Sequence, residues 1–114
     1  MKIKKERKVL TEKQIQNQIM KFLRKHGFSA DVITIGTYGR RGMSDIVACA
    51  PDGTYVAIEV KREGKKATRI QEEWIAEKRR HNAISFVACS VNDVKDGLSK
   101  WIIINDKHRP NSRC

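Results

Sequence analysis

The sequence lacks the cysteine and histidine patterns that bind zinc. The three cysteines are widely spaced and form no C-x-x-C pair; they are Cys49, Cys89 and Cys114. The three histidines fit no H-E-x-x-H motif; they are His26, His81 and His108. We therefore predict neither a zinc centre nor a catalytic histidine.

Long apolar runs are also missing. No segment approaches the roughly 20 consecutive apolar residues of a membrane-spanning helix. Residues 1–5 are basic and lack the apolar core of a signal peptide. We expect a cytoplasmic protein.

Acidic residues are few relative to basic ones. The 114 residues include 24 Lys and Arg against 13 Asp and Glu, which gives a formal net charge of +11. A basic surplus of this size favours a polyanionic partner such as nucleic acid. An anionic membrane surface is the competing polyanion.

A β-hairpin is the clearest structural pattern that is present. Residues 45–50 and 54–61 are rich in β-branched side chains and flank a Pro-Asp-Gly sequence typical of a tight turn. If the residues next to the turn pair, Asp45 lies opposite Glu59, with Cβ atoms about 4.5–5.5 Å apart. The hairpin would then bring two carboxylates together.

Glu59 and Lys61 are two residues apart in one strand, so their side chains share a face. Two acids and a lysine on one face make a plausible site for a hard divalent cation and a phosphodiester. A cation would also offset the repulsion between the two carboxylates. The alternative is that Asp45 only begins a strand, while Glu59 and Lys61 line a solvated sheet face.

Capping boxes and apolar spacing predict the helices. Thr-x-x-Gln sequences at residues 11–14 and 68–71 begin two helices, which end near Gly27 and Arg80. Strands are predicted at residues 30–35, 45–50, 54–61 and 84–89.

A last helix would be capped by Asn92 or Asp93, although Gly97 weakens it and residues 102–104 could form a strand instead. The order α-β-β-β-α-β predicts an α/β (α+β layered) fold, with a central mixed sheet flanked by helices. We predict one domain at residues 11–104, a basic flexible arm at 1–10 and a polar tail at 105–114.

Four features occur in order along the chain: Glu12 on the first helix, Gly42-Met43-Ser44-Asp45, Glu59-Val60-Lys61, and Gln71 on the second helix. In these features the chain resembles the virus-type replication-repair nuclease (VRR-NUC) domain of the PD-(D/E)XK superfamily. The resemblance covers roughly residues 11–98 and implies a restriction-endonuclease-like core. One departure is Ser44, where the superfamily's name records a proline that shapes the start of the strand.

The resemblance implies a metal-dependent endonuclease. Asp45 and Glu59 would bind Mg²⁺ or Mn²⁺ with the backbone carbonyl of Val60, and an incomplete protein ligand set suits Mg²⁺, which keeps several waters. Lys61 would orient the attacking water and stabilise the transition state, because a lysine is mostly protonated at neutral pH.

Two further catalytic candidates each have a second interpretation. Glu12 would approach the metal, or it would only occupy a favourable position at the start of a helix. Gln71 would contact the active site, or it would only complete a capping box.

Basic residues flank the carboxylates on both sides in sequence. We predict that six of them contact DNA phosphates: Arg40, Arg41, Arg62, Lys65, Lys66 and Arg69. A solvated face is the alternative for any one of them. Aromatic residues are only 6% of the chain, and Tyr38 alone lies near the site in sequence, which favours duplex or junction binding over base stacking on single strands.

The resemblance also implies a homodimer, of phage or bacterial origin, that cuts branched DNA such as Holliday junctions. The apolar residues 101–104 would be covered by the partner subunit or would pack on their own sheet. Nucleolytic action on flaps, nicks or plain duplex remains open. So do a non-catalytic nucleic-acid-binding module and a small basic protein that binds RNA or another protein.

Overall fold

The computed structural model describes residues 9–34 and 42–102. This part of the chain contains helices α1 (Glu12–Lys25), α2 (Arg69–Arg80) and α3 (Val91–Gly97) and strands β1 (Ser29–Val32), β2 (Ile46–Cys49), β3 (Tyr55–Val60) and β4 (Ile84–Ala88). The predicted α-β-β-β-α-β order is confirmed. Most of the basic arm, the loop with Arg40 and Arg41, and the polar tail lie outside the described residues.

The four strands form one mixed sheet in the order β1-β2-β3-β4. The first three strands are antiparallel, and β4 is parallel to β3. At the hairpin turn, the backbone N–H of Ala50 donates to the carbonyl of Thr54 at 2.9 Å, and Ile46 pairs with Ile58. Continuing this register by one residue places Asp45 opposite Glu59, as the sequence predicts.

Helices cover both faces of the sheet. On one face, α1 and α3 pack on strand residues such as Ile58, which is completely buried. On the other face, Trp74 and Ile75 of α2 pack on Ala57. Glu59 points to the α2 face and is only 2% exposed, so the interpretation of a solvated sheet face is wrong.

The helix starts follow local sequence. Thr11 and Thr68 are the N-caps of α1 and α2, and both capping boxes are complete. The cap of α3 is Ser90, not Asn92 or Asp93 as predicted. The Asp93 backbone N–H donates to Ser90 Oγ at 3.2 Å, while its carboxylate accepts from the Cys89 N–H at 2.9 Å. Ser-x-x-Asp at residues 90–93 is itself a capping-box pattern, and it is the signal that the sequence analysis missed.

The end of the described chain packs on its own domain. Ile102 is buried in the core formed with α1 and α3, and the Trp101 ring meets Phe28 edge-on at 5.8 Å between ring centroids. Gly97 is the last residue of α3 and packs closely on Phe86, since an added Cβ would lie 2.5 Å from the Phe86 ring. For residues 101 and 102, packing on the same chain is therefore observed. Residues 103 and 104 lie outside the described part.

Among the described helices, none has the length and apolar character needed to cross a bilayer.

Candidate active site

The topology brings four chain segments to one end of the sheet. Strand β2 begins, and strand β3 finishes, at the end of the sheet where Asp45 and Glu59 lie. Helix α1 leads into the opposite end of β1, and α2 leads into the opposite end of β4. Both helices therefore begin at the end where the two acids lie, which brings Glu12 and Gln71 toward the same place.

Asp45 is held by backbone groups on both sides, Val60 of β3 and Ile33, the residue that follows β1. Its carboxylate Oδ2 accepts a hydrogen bond from the Val60 N–H at 2.8 Å. Its main-chain carbonyl accepts from the Ile33 N–H at 2.7 Å. The Asp45 side chain thus takes the place of a main-chain carbonyl as the acceptor for the Val60 N–H. This hydrogen bond holds the carboxylate beside β3.

Glu59 is a buried acid with one satisfied and one unsatisfied oxygen. Its Oε2 accepts from Gln71 Nε2 at 3.0 Å and lies 3.9 Å from Lys61 Nζ. Its Oε1 is buried without a hydrogen-bond partner. The pKa of Glu59 is raised from 4.5 to about 8, chiefly by burial and further by the neighbouring Asp45 carboxyl and, more weakly, by the charge of Glu12, while the charge of Lys61 lowers it.

The paired carboxyl groups of Asp45 and Glu59 fit a hard divalent cation. Two neighbouring carboxyl groups favour a shared proton or a cation between them, and the unpartnered Glu59 Oε1 leaves a lone pair for such a ligand. Within residues 9–34 and 42–102, no group of three or more His, Cys, Asp or Glu residues is arranged so that it could hold a metal ion by itself. A site with few protein ligands suits Mg²⁺, which retains waters.

Gln71 performs both of the roles considered for it. Its side-chain oxygen accepts from the Thr68 N–H at 2.8 Å and completes the capping box, while its nitrogen donates to Glu59. Glu12 lies in the first turn of α1 and its charge acts on Glu59.

The backbone N–H of Lys61 donates to the Ala88 carbonyl at 3.0 Å, so β4 holds this end of β3 in place.

The model of the VRR-NUC domain family matches residues 36–93, just over half of the chain. The chain belongs to the VRR-NUC family. The matched segment includes Asp45, Glu59, Lys61 and Gln71, whereas Glu12 lies before it. No curated protein matches the sequence.

Solved structures share the fold of this VRR-NUC domain. One described as a VRR_NUC domain has a TM-score of 0.69 at 22% identity and covers 82% of this chain and 100% of the other. A second, described as a VRR_NUC domain protein, has a TM-score of 0.68 at 20% identity and covers 84% of this chain and 91% of the other.

A third similar structure is Hjc of Archaeoglobus fulgidus, a Holliday junction resolvase, with a TM-score of 0.51 at 28% identity, covering 67% of this chain and 65% of that one. Together with the family match, these structures identify a nuclease of the PD-(D/E)XK type, a superfamily that generally uses divalent metals.

Four of the six predicted DNA contacts of the VRR-NUC domain lie in or next to the segment that joins β3 to α2. All four are exposed: Arg62, Lys65, Lys66 and Arg69. The Arg69 guanidinium pairs with Glu73 at 3.1 Å, but both side chains are exposed, and such surface pairs contribute at most about 1 kcal/mol. Arg40 and Arg41 lie outside the described residues.

A contact between Gly42 and α2 could not be found from the sequence. Gly42 has a φ of +81°, and a Cβ on it would lie 2.6 Å from the carbonyl oxygen of Ile70. The chain leading into Asp45 therefore packs on the backbone of α2, one residue before Gln71. Ser44, at the superfamily's proline position, is completely buried and its Oγ lacks a partner.

We expect Gly42→Ala to destabilise the VRR-NUC domain by about 2 kcal/mol or more. An alanine here would be strained by the left-handed backbone conformation, and its Cβ would also clash with the Ile70 backbone. Gly53→Ala is the matched control: Gly53 has a φ of +89° and no atom within 4 Å of an added Cβ, so that variant carries the strain alone. Urea unfolding of both variants measures the difference. Equal losses of stability would show that the contact with Ile70 costs nothing to disrupt.

Proposed function

We propose that this VRR-NUC domain is a metal-dependent endonuclease that hydrolyses DNA phosphodiester bonds. The observation that carries the proposal is the pair of neighbouring carboxyl groups, Asp45 and Glu59, on adjacent strands, with a buried unpartnered Glu59 oxygen at the end of the sheet. A bound Mg²⁺ or Mn²⁺ would polarise the phosphodiester and lower the pKa of a bound water. Asp45, Glu59 and the Val60 carbonyl are the proposed ligands.

The other site residues would act on charge and orientation. Lys61 Nζ is beside Glu59 and its side chain is 15% exposed, so it is placed to interact with negative charge that develops on the phosphoryl oxygens. Gln71 would hold the Glu59 carboxylate in one orientation. Glu12 would add negative charge beside the metal, through a water or directly.

A cleavage assay tests this proposal. Labelled four-way junctions, flaps, nicked duplexes, plain duplexes and single strands are incubated with Mg²⁺, with Mn²⁺ or with EDTA. We expect cleavage with either metal and none in EDTA. Undiminished cleavage in EDTA would exclude the metal mechanism. Tight binding without cleavage of any substrate would favour the non-catalytic module.

We propose branched DNA, such as a Holliday junction, as the preferred substrate. Supporting this are the fold similarity to Hjc, a Holliday junction resolvase, and the low aromatic content, which disfavours stacking on single strands. Flaps, nicks and plain duplex are the other outcomes of the same assay. The cytoplasm of a bacterial or phage-infected cell is the proposed compartment.

DNA binding by this domain should depend strongly on salt and weakly on sequence. If Z phosphates are contacted, log K should fall with log salt concentration with a slope of about −0.9Z on duplex DNA. Lys65→Glu or Lys66→Glu should flatten the slope, because both lysines are exposed near the site. Fluorescence anisotropy between low and high salt measures the slope.

Arg80→Glu is the matched control for this experiment. Arg80 is exposed, carries the same charge and lies at the far end of α2 from the site. We expect its slope to stay closer to that of the wild type. Equal flattening by both kinds of variant would indicate a general charge effect and no defined phosphate path, and a slope near zero would favour a protein partner.

We further propose a homodimer, because symmetric cleavage of a four-way junction needs two active sites related by a two-fold axis. Sedimentation at micromolar concentration should give twice the chain mass of 13.1 kDa. Ile102 is buried within its own chain, so the dimer surface must include other residues. A stable monomer that cuts flaps or duplexes as well as junctions would exclude the resolvase but leave the nuclease intact.

A further inference from the structure

The carboxamide of Gln71 is held from two sides. Its Oε1 accepts a hydrogen bond from the backbone N–H of Thr68 at 2.8 Å, and its Nε2 donates to Glu59 Oε2 at 3.0 Å. In return, Thr68 Oγ1 accepts from the backbone N–H of Gln71 at 3.2 Å. One side chain therefore joins the start of α2 to the buried acid of the site.

The Thr68 N–H decides which way this carboxamide points. A backbone N–H is a donor at every pH, so it must face the oxygen of the carboxamide and not its NH₂ group. The NH₂ group is then left on the side of Glu59. If the carboxamide were flipped, its NH₂ group would face the Thr68 N–H, which is also a donor. Its oxygen would face an ionised Glu59 carboxylate, which is also an acceptor.

We propose that the backbone N–H of Thr68 is a positioning group of the active site: it fixes the Gln71 carboxamide so that its NH₂ group holds the Glu59 carboxylate in one orientation. The inference rests on the proposed nuclease function for its catalytic consequence. The orientation itself is independent of that function. The cap of α2 and the active site are, on this view, one hydrogen-bonded unit.

The chain contains a matched internal comparison. Helix α1 begins with the same box, in which the Thr11 N–H donates to Gln14 Oε1 at 2.9 Å. The Gln14 side chain is exposed. The same capping chemistry thus occurs once beside a buried carboxylate and once at the surface.

The first test uses the wild-type, metal-free protein. We expect a scalar coupling across the hydrogen bond between the Thr68 backbone nitrogen and the Gln71 side-chain carbonyl carbon in an NMR experiment on labelled protein. We also expect the Gln71 side-chain NH₂ group to be as rigid as the ordered backbone, with an order parameter of about 0.85. A missing coupling together with a freely rotating NH₂ group would overturn the proposal, whether or not the protein cleaves DNA.

The second test removes the donor. Thr68 has φ −73° and ψ 165°, which proline can adopt, so Thr68→Pro deletes the N–H without forcing φ to change. We expect kcat to fall about 10- to 100-fold with KM within about threefold, because a misplaced catalytic group costs rate. Thr68→Ala loses only the hydroxyl and keeps the N–H, so its kcat should fall much less than that of Thr68→Pro. Thr68→Ser keeps both groups and is the conservative variant.

Thr11→Pro is the control for stability, since Thr11 has φ −74° and ψ 161° and loses the same capping N–H on α1. It should reproduce the loss of thermal stability of Thr68→Pro while leaving the Gln71 NH₂ dynamics unchanged. A purely structural cap would make Thr68→Ala and Thr68→Pro lose activity in proportion to their stability, and that result would refute the positioning role.

Discussion

Asp45→Asn and Glu59→Gln are each expected to abolish DNA cleavage while DNA binding survives or becomes tighter. Each change removes the charge of a proposed metal ligand and also removes repulsion against phosphate. Because a bound cation supplies several kcal/mol of transition-state stabilisation, we expect the single-turnover rate to fall by about 10³-fold or more. Binding is measured by anisotropy in EDTA, and cleavage in Mg²⁺ with saturating enzyme.

Asp31→Asn is the matched control for this pair of variants. Asp31 is an exposed acid on the edge strand β1, so its removal changes net charge by the same amount without touching the site. Its cleavage rate should equal that of the wild type. If Asp45→Asn or Glu59→Gln cut DNA at nearly the wild-type rate with Mg²⁺ present, the proposed site would be wrong.

The metal-free protein is expected to lose stability as pH rises from about 4.5 to about 8, the span over which the pKa of Glu59 is raised. A raised acid pKa means that the folded state binds the proton more tightly than the unfolded state does. The stabilising contribution of the protonated group is therefore complete below the unfolded pKa and is lost as pH passes through the folded one. We expect a loss of roughly 2–5 kcal/mol from this group.

Urea unfolding of the wild type and of Glu59→Gln between pH 5 and pH 9 in EDTA measures this loss. The amide carries no titratable proton, so the difference in unfolding free energy between the two proteins should change with pH. The unfolding free energy of the wild type should fall relative to that of Glu59→Gln as the pH rises. Parallel curves would mean that Glu59 does not titrate in this range.

Adding Mg²⁺ should reverse the destabilisation at high pH. A cation binds the ionised carboxylates, so it competes with the proton on Glu59. The stabilisation by a fixed Mg²⁺ concentration should therefore be larger at pH 8 than at pH 6, because ligand binding to the folded state adds to its stability. Glu59→Gln should show little stabilisation at either pH.

Much of the fold follows from local sequence. The strand alternation and the Pro-Asp-Gly turn set the hairpin register, because a slip of one residue would move Val56, Ile58 and Val60 out of the core. The Thr-x-x-Gln boxes fixed the starts of α1 and α2, since every group in a capping box lies within four consecutive residues. These features made the juxtaposition of Asp45 and Glu59 predictable.

The properties of the site depend on contacts between residues distant in sequence. Glu59 is buried because α2 packs over its face of the sheet, and that burial is the main cause of its raised pKa. Gln71 could be assigned to a cap or to the site, and only the closeness of α2 to β3 shows that its two ends do both. The need for glycine at residue 42 arises from the Ile70 backbone.

The sequence by itself determined which acids, lysine and capping residues are available and which strand face each occupies, because these depend on periods of two and of about four residues. Only the tertiary structure decided how far Glu59 is desolvated, which side-chain atom of Gln71 meets it and how closely the chain before Asp45 approaches α2. Those quantities depend on the packing of a helix against a sheet, which no local spacing specifies.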